Sequence, residues 1–108
     1  GALLQAQGRL EESLAHLERA LAKEPESAEI LTTTGATLGM LGQHEAALAY
    51  FLRARDCDPR WPETYNNIAC ALAALGRKPE AVVHLVLALR LRPDYPEARA
   101  NLRQLTGR

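Results

Sequence analysis

Few side chains in this sequence could carry out covalent or metal chemistry. The three histidines, His16, His44 and His84, are distributed over different predicted helices, and no two of them are close enough to share a metal ion. Ser13 has no histidine placed to act as its base. We therefore predict no catalytic residue, no metal-ligating residue, no cofactor and no enzymatic activity.

The two cysteines also lack the spacing of a functional motif. Cys57 and Cys70 are on different predicted helices and neither has a neighbouring cysteine or histidine partner. This spacing argues against both a disulfide framework and a zinc site. A reducing compartment fits best, so we predict a cytoplasmic location.

The charge balance excludes several classes of partner. The chain has 108 residues, with 13 Lys and Arg against 13 Asp and Glu, so its net charge is zero. A neutral surface does not provide the positive field that nucleic acids or anionic lipids require. Charged residues interrupt every apolar stretch, so the sequence does not predict insertion into a membrane.

Polar side chains that could bind a peptide recur at a fixed interval. Asn67 and Asn101 are separated by one such 34-residue interval, and Thr33 stands one interval earlier. An amide carries a donor and an acceptor, so a row of amides can pair with the peptide units of an extended ligand. The alternative is that asparagine simply tolerates solvent at these positions.

Glu29, Glu63 and Glu97 follow the same interval. They could favour a basic ligand, but an acidic residue in the first turn of a helix is expected from the helix dipole alone. We therefore interpret them as structural.

Trp61 and Tyr95 also share one position, in the turn between two repeats, where aromatic rings commonly pack over helix ends. We predict that both rings fill the turn.

The elements that position these residues are predicted by the same 34-residue interval. Three residue types recur with it: Pro25, Pro59 and Pro93; Gly8, Gly42 and Gly76; Ala20, Ala54 and Ala88. Glycine after an apolar helical run allows a sharp turn, and proline ends a helix because it lacks the next donor. The pattern indicates pairs of antiparallel helices.

We predict helices at about 9–23, 28–41, 44–57, 62–75, 78–91 and 96–106. Residues 2–7 are predicted to be the end of another helix, which would make Gly8 a turn residue and place the start of the chain inside a repeat. The domain then comprises a partial first repeat at 1–27, complete repeats at 28–61 and 62–95, and a capping helix at 96–108, all within one domain of residues 1–108.

The final helix differs from the earlier ones. Positions that are apolar or small in the complete repeats become Arg99, Arg103 and Thr106. Ala98, Leu102 and Leu105 keep one apolar face. This combination predicts a helix that covers the end of the stack.

With these residues placed, the sequence resembles the tetratricopeptide repeat family. The residues that carry the resemblance are Leu31, Thr34, Gly35 and Leu38, repeated as Tyr65, Ile68, Ala69 and Leu72; and Ala47, Phe51, Ala54 and Pro59, repeated as Ala81, Leu85, Ala88 and Pro93. The resemblance implies an all-α fold, a right-handed superhelical stack of antiparallel helix hairpins with 34-residue repeats and a C-terminal capping helix.

The resemblance also implies a binding surface, because in this family the first helix of each hairpin lines an inner, concave face that holds peptides. The implied peptide-binding groove consists of Thr33, Asn66, Asn67, Cys70, Asn101 and Gln104. Asn67 and Asn101 look like the asparagine ladder in the repeat domain of protein O-linked N-acetylglucosamine transferases. No inner position of the two complete repeats is Lys or Arg, which disfavours the basic clamp that other members use for the acidic tails of chaperones.

The predicted function is a non-catalytic scaffold that binds a protein or peptide partner in this groove. Two alternatives stay open at this point. The chain could be an assembly module that self-associates through its open N-terminal end, or a substrate-recruiting appendage of a larger enzyme.

Overall fold

A computed structural model describes residues 2–107, and side chains from Leu4 to Gly107. Over this range the chain forms six α-helices and no strand. They are α1 (Ala2–Lys23), α2 (Ala28–Met40), α3 (His44–Cys57), α4 (Pro62–Ala74), α5 (Lys78–Leu91) and α6 (Pro96–Thr106). The bounds of α2 to α6 agree with the predicted helices to within one residue.

Left-handed glycines connect the helices of each pair. Gly42, between α2 and α3, has φ of 81°, and Gly76, between α4 and α5, has φ of 78°. Residues with a Cβ rarely adopt this conformation. The backbone N–H after each glycine then reaches back to the preceding helix, at 2.9 Å from Gln43 to the Leu38 carbonyl and 2.8 Å from Arg77 to the Leu72 carbonyl. The chain therefore reverses direction within a short turn at both places.

Gly8 does not form such a turn, so this prediction was wrong. It lies inside α1, which runs without a break from Ala2 to Lys23. Residues 4–7 are exposed, so they bury no face against the helix that follows. Continuing the helix instead gives their backbone groups intrahelical hydrogen bonds.

The apolar core runs along the stack and not within any single hairpin. Its main cluster joins the α2–α3 pair to α4, α5 and α6, and a smaller cluster joins α1 to the first pair. The main cluster includes Leu38, Leu48, Phe51, Ile68, Leu72, Leu85, Tyr95 and Ala98; the smaller one is Leu21, Leu31 and Ala54. Stacking of neighbouring helix pairs thus supplies the buried surface.

Two threonines enter this core without leaving a polar group unpaired. Thr34 is fully buried, and its hydroxyl donates to the Ile30 carbonyl at 2.7 Å. Thr37 donates in the same way to the Thr33 carbonyl at 2.9 Å. Because each hydroxyl bonds one turn back along α2, the helix accepts polar residues at buried positions.

The last helix, α6, buries one face and exposes the other. Ala98 is fully buried, and Leu102 and Leu105 are partly buried against the main cluster. Arg99 and Arg103 are exposed. The division of burial is the one that the sequence predicts for a cap; that α6 terminates the stack stays a prediction, as do the repeat boundaries.

Candidate functional site

The helices α2, α4 and α6 lie side by side, with α3 and α5 packed behind them. We call the surface of these three helices that α3 and α5 leave uncovered the inner face. Five of the six residues of the predicted groove lie on it, whereas Asn66 of α4 is buried beneath it. Two clefts open along it, and a third lies near the N-terminal ends of α2 and α4.

The first cleft lies between the α2–α3 pair and α4 and has a volume of about 280 Å³. Small residues line most of it, with the Phe51 ring at its base and Met40 and His44 at its rim. Its lining is Ala36, Gly39, Met40, His44, Ala47, Phe51, Asn67, Cys70 and Ala71. A narrow apolar cleft of this kind fits one side chain of a partner better than a whole small-molecule ligand.

The second cleft is the counterpart of the first, displaced by one repeat, and lies between the α4–α5 pair and α6. Its volume is about 430 Å³, and its lining is Ala69, Cys70, Ala73, Lys78, Leu85, Asn101, Gln104 and Leu105. All of these residues except Ala69 have their counterpart, one repeat earlier, in the first cleft. Phe51 corresponds to Leu85, and Asn67 to Asn101. The inner face therefore presents nearly the same cleft twice, with Cys70 between the two.

The two asparagines of the clefts differ in their internal contacts. Asn101 donates from Nδ2 to the Asn66 Oδ1 at 3.0 Å and approaches the Cys70 Sγ at 3.6 Å. Asn66 is only 6% exposed, so it supports Asn101 from within. Asn67 has no side-chain hydrogen bond among the described residues. Its whole amide, and the carbonyl oxygen of Asn101, stay available to a ligand.

The two other predicted groove residues lie at opposite ends of the inner face. Thr33 donates its hydroxyl to the Glu29 carbonyl at 2.9 Å, which leaves the hydroxyl oxygen free to accept. Gln104 lines the second cleft beside Asn101 and is exposed. The structure therefore brings Asn66, Cys70 and Asn101 into contact. Asn67 shares the first cleft with Cys70, Gln104 shares the second with Asn101, and Thr33 lies outside both.

The Cys70 thiol is not set up as a nucleophile. Partial desolvation raises its pKa, and the negative charge of Glu97 adds to the shift. Reactive cysteines require the opposite shift, since the thiolate is the nucleophile. Both Cys57 and Cys70 are free thiols.

The third cleft is the largest, with a volume of about 580 Å³. We call it the acidic cleft, because it is lined by three carboxylates and by no lysine, arginine or histidine. Its lining is Ala28, Glu29, Thr32, Thr33, Asp58, Trp61, Glu63 and Thr64. Within residues 2–107 no group of acidic, histidine or cysteine side chains is arranged to hold a metal ion.

Trp61 and Tyr95 take opposite positions, although they occupy the same place in the repeat. Tyr95 is 7% exposed and packs into the main cluster, as predicted. Trp61 is 53% exposed and donates its indole N–H to the Asp58 Oδ2 at 2.7 Å. The prediction that Trp61 fills its turn was therefore wrong, because Asp58 holds the ring edge outward.

Sequence reasoning missed the acidic cleft and the role of His44 at the rim of the first cleft. For the acidic cleft a signal was present. Aligning the two complete repeats places Asp58 opposite Arg92, a reversal of charge beside the aromatic residue. For His44 no comparable signal exists, since it opens α3 and reaches the cleft only through the packing of the α2–α3 pair on α4.

Comparison with protein families agrees with this architecture. A tetratricopeptide repeat model matches residues 1–62, and a second tetratricopeptide repeat model matches residues 63–92. The chain belongs to the tetratricopeptide repeat family. No curated protein sequence gives a significant match.

Solved structures share the fold. The first TPR domain of Spaghetti (RPAP3), bound to the HSP90 peptide SRMEEVD, superposes with a TM-score of 0.89 at 20% identity, over 99% of this chain and 85% of that one. The Arabidopsis OM64 TPR domain gives 0.89 at 19% identity, over 99% and 88%. An O-GlcNAc transferase from Thermobaculum terrenum gives 0.85 at 30% identity, over 94% of this chain but only 19% of the enzyme.

As a TPR domain, the chain is an all-α solenoid of the kind that serves as a protein-interaction scaffold. No helix within residues 2–107 is both long enough and apolar enough to cross a bilayer.

Proposed function

We propose that the inner face binds an extended or helical segment of a partner polypeptide and holds it without chemical change. The observation that carries this proposal is the repetition of one cleft at equivalent positions, first around Phe51 and then around Leu85. A polypeptide is itself a repeating ligand, so a chain lying along α2, α4 and α6 can place successive side chains in successive clefts.

The asparagines give the same surface a way to hold a peptide backbone. Asn67 stands in the first cleft and Asn101 in the second. Each can pair with a peptide N–H or C=O, and their contribution is independent of the ligand's side chains. The small floor residues, including Ala36, Gly39 and Ala73, allow the ligand backbone to come close.

The charge of the inner face argues against a strongly acidic partner segment, since Lys78 is the one lysine or arginine in the lining of its two clefts. The Spaghetti domain holds an HSP90 peptide that carries two glutamates and an aspartate. In this chain α2 and α4 contain no lysine or arginine, and each has a glutamate in its first turn, Glu29 and Glu63. We therefore propose a partner segment that is not an acidic tail.

The clefts do not support catalysis. The first cleft brings His44 and Cys70 to its lining, but desolvation and Glu97 hold the thiol pKa above its usual range. An open surface also leaves water in contact with any reacting group, which weakens electrostatic stabilisation of a transition state. A cytoplasmic location remains a prediction from the free cysteines.

A second candidate is an assembly role for the N-terminal part of α1. Leu4 is 70% exposed, and the neighbouring residues 5–7 are also exposed. Analytical ultracentrifugation over a range of concentrations separates the two candidates, because only assembly through this end predicts self-association. A third role, recruiting substrate for an attached enzyme, is suggested only by the likeness to part of the transferase.

Binding in the groove is tested with a peptide that is selected for its affinity to the domain. A displayed random-peptide library is panned against the wild-type domain, and the Kd of the selected peptide is then measured for wild type and variants. Asn67→Ala with Asn101→Ala should weaken binding about tenfold, because two hydrogen bonds to the peptide backbone are lost. The same domains are used in a pull-down with mass spectrometry to identify the natural partner.

Gln7→Ala is the matched control, since it removes an exposed amide from α1, away from the inner face. It should bind the selected peptide as wild type does. Circular dichroism of each variant must show an intact fold, because Asn101 also bonds to Asn66. Equal affinity of the folded double variant and wild type would reject the asparagine contacts.

A further inference from the structure

The acidic cleft has an equivalent one repeat later, and there the chain fills the space itself. The guanidinium of Arg92 pairs with Glu63, at 2.8 Å from Nη1 to Oε2. Its Cζ also lies 5.3 Å from the centroid of the Tyr95 ring. A cation held between a carboxylate and an aromatic face is favourable on both sides. Tyr95 is buried, so its ring, unlike that of Trp61, is not open to a ligand.

The acidic cleft keeps two of these three groups and replaces the third. Glu29 is the counterpart of Glu63 one repeat earlier, and Trp61 is the counterpart of Tyr95. Asp58, however, takes the place of Arg92. The carboxylate and the aromatic ring are thus retained, while the internal cation is exchanged for a carboxylate that pairs with Arg60.

Both retained groups lack an internal cation in the acidic cleft. Glu29 forms no ion pair among the described residues, and Trp61 is 53% exposed. The Trp61 ring is nevertheless fixed, because its indole N–H donates to Asp58, which also accepts from the Arg60 Nε at 3.1 Å. A ring held by its edge keeps its faces free for a ligand and loses little freedom on binding.

Glu63 provides an acceptor for the same ligand. Its Oε2 is used by Arg92, whereas its Oε1 is buried and has no hydrogen-bond partner. Within the described residues no other buried side-chain oxygen or nitrogen lacks a partner. A buried acceptor without a donor is unfavourable, and a donor entering the acidic cleft would remove that cost.

We propose that the acidic cleft binds the guanidinium of an arginine in the partner segment, stacked on Trp61 and paired with Glu29 and Glu63. Arginine fits because its planar group can stack on a ring and donate in several directions at once. The internal Arg92 shows this arrangement one repeat away. The inference rests on the proposed function, since Thr33 joins the acidic cleft to the inner face that holds the rest of the segment.

The probe is a short peptide, acetylated and amidated, with a central arginine between alanines. Its matched control carries citrulline, which has nearly the same length and shape but no charge. The chain has a single tryptophan, so the indole N–H signal in NMR spectra reports on Trp61 alone. The arginine peptide should shift this signal in a saturable way, and the citrulline peptide should not.

Variants assign the binding to the proposed groups. Glu29→Gln and Trp61→Leu should each weaken binding about threefold or more. Because the Trp61→Leu variant lacks the indole signal, its binding is measured from the backbone amide signals of Glu63 and Thr64. Glu97→Gln is the matched control, because Glu97 stands at the equivalent first-turn position beside the buried Tyr95. Asp58→Arg should abolish binding, since it places an internal guanidinium where Arg92 stands in the next repeat.

The proposal is overturned if citrulline and arginine peptides shift Trp61 equally, or if Glu29→Gln and Asp58→Arg bind as wild type does. It is also overturned if Trp61 does not respond at peptide concentrations up to about 10 mM. The side-chain amide signals of Asn67 and Asn101 in the same spectra test the groove separately. If the amide signals respond and the Trp61 signal does not, the proposed function stands and the arginine site is rejected. If the Trp61 signal responds and the amide signals do not, the arginine site stands and binding in the groove is not supported.

Discussion

At the residue scale, the close approach of α2 and α3 depends on a glycine, which has no side chain. Gly35 lies on α2 directly against Phe51 of α3. A Cβ at this position would stand 2.6 Å from Phe51 Cε1 and 2.7 Å from Cδ1, closer than van der Waals contact allows. Phe51 is itself 5% exposed, so its ring has little room to move. Any side chain at residue 35 must therefore displace α3 or distort the core.

We expect Gly35→Ala to lower the free energy of unfolding by about 1–3 kcal/mol, because overpacking outweighs the gain in helix propensity. Gly39→Ala is the matched control on the same helix, where an added Cβ meets no atom within 4 Å. It should leave stability unchanged or raise it slightly. Urea denaturation followed by circular dichroism measures both, and equal stabilities of the two variants would contradict the close approach.

At the element scale, α1 differs from α4, the most central helix, in how it is supported. Among the described residues its backbone lies close only to that of α2, whereas α4 lies close to its hairpin partner α5 and to the neighbouring α2, α3 and α6. Gly8 lies within it, has no positive φ and leaves open space where a Cβ would be. The same residue type at Gly42 has a left-handed backbone and ends a helix.

These two conformations predict opposite effects of the same substitution. Gly8→Ala should raise the free energy of unfolding by up to about 1 kcal/mol, since alanine favours the helix that already exists. Gly42→Ala should lower it by about 1 kcal/mol or more, because a Cβ is strained at positive φ. Thermal denaturation by circular dichroism distinguishes them. Destabilisation of similar size at both positions would show that Gly8 forms a turn after all.

At the scale of the whole molecule, the stack is stabilised by contacts between neighbouring helix pairs. The final helix takes part in this through Ala98, which is fully buried, while Ala100 on the opposite face is exposed. A helix docked in this way should unfold together with the stack. A loosely attached one would open independently.

Ala98→Asp should therefore lower the free energy of unfolding by about 2–4 kcal/mol, because it places an unpaired charge between α6 and the core. Ala100→Asp makes the same chemical change on the exposed face and should have little effect. Hydrogen exchange of the α6 amides, with limited proteolysis of residues 96–106, measures the docking. Cleavage of this segment in the wild type as fast as a loose tail would contradict the role of α6 as a cap.

Much of the fold was predictable because the residues that form turns and close helix contacts recur at a fixed interval in the sequence. Turn glycines at Gly42 and Gly76, prolines between pairs and small residues such as Gly35 recur at one interval, and each has a local physical cause. Gly8 follows the same interval but does not form a turn, because a turn also requires a packed helix on each side. Local pattern alone cannot supply that second helix.

The sequence by itself determined the helix pairs and the apolar faces, since these depend on spacing along the chain, and it predicted which residues form the groove. Only the tertiary structure decided which of those residues are free. Asn101 is tied to Asn66 on a different helix, and Asn67 is not tied. Trp61 faces outward while Tyr95 is buried, because Asp58 holds the first ring and Arg92 covers the second. The first difference arises from a contact between helices, and the second from one change of charge, Asp58 against Arg92, three residues before each ring.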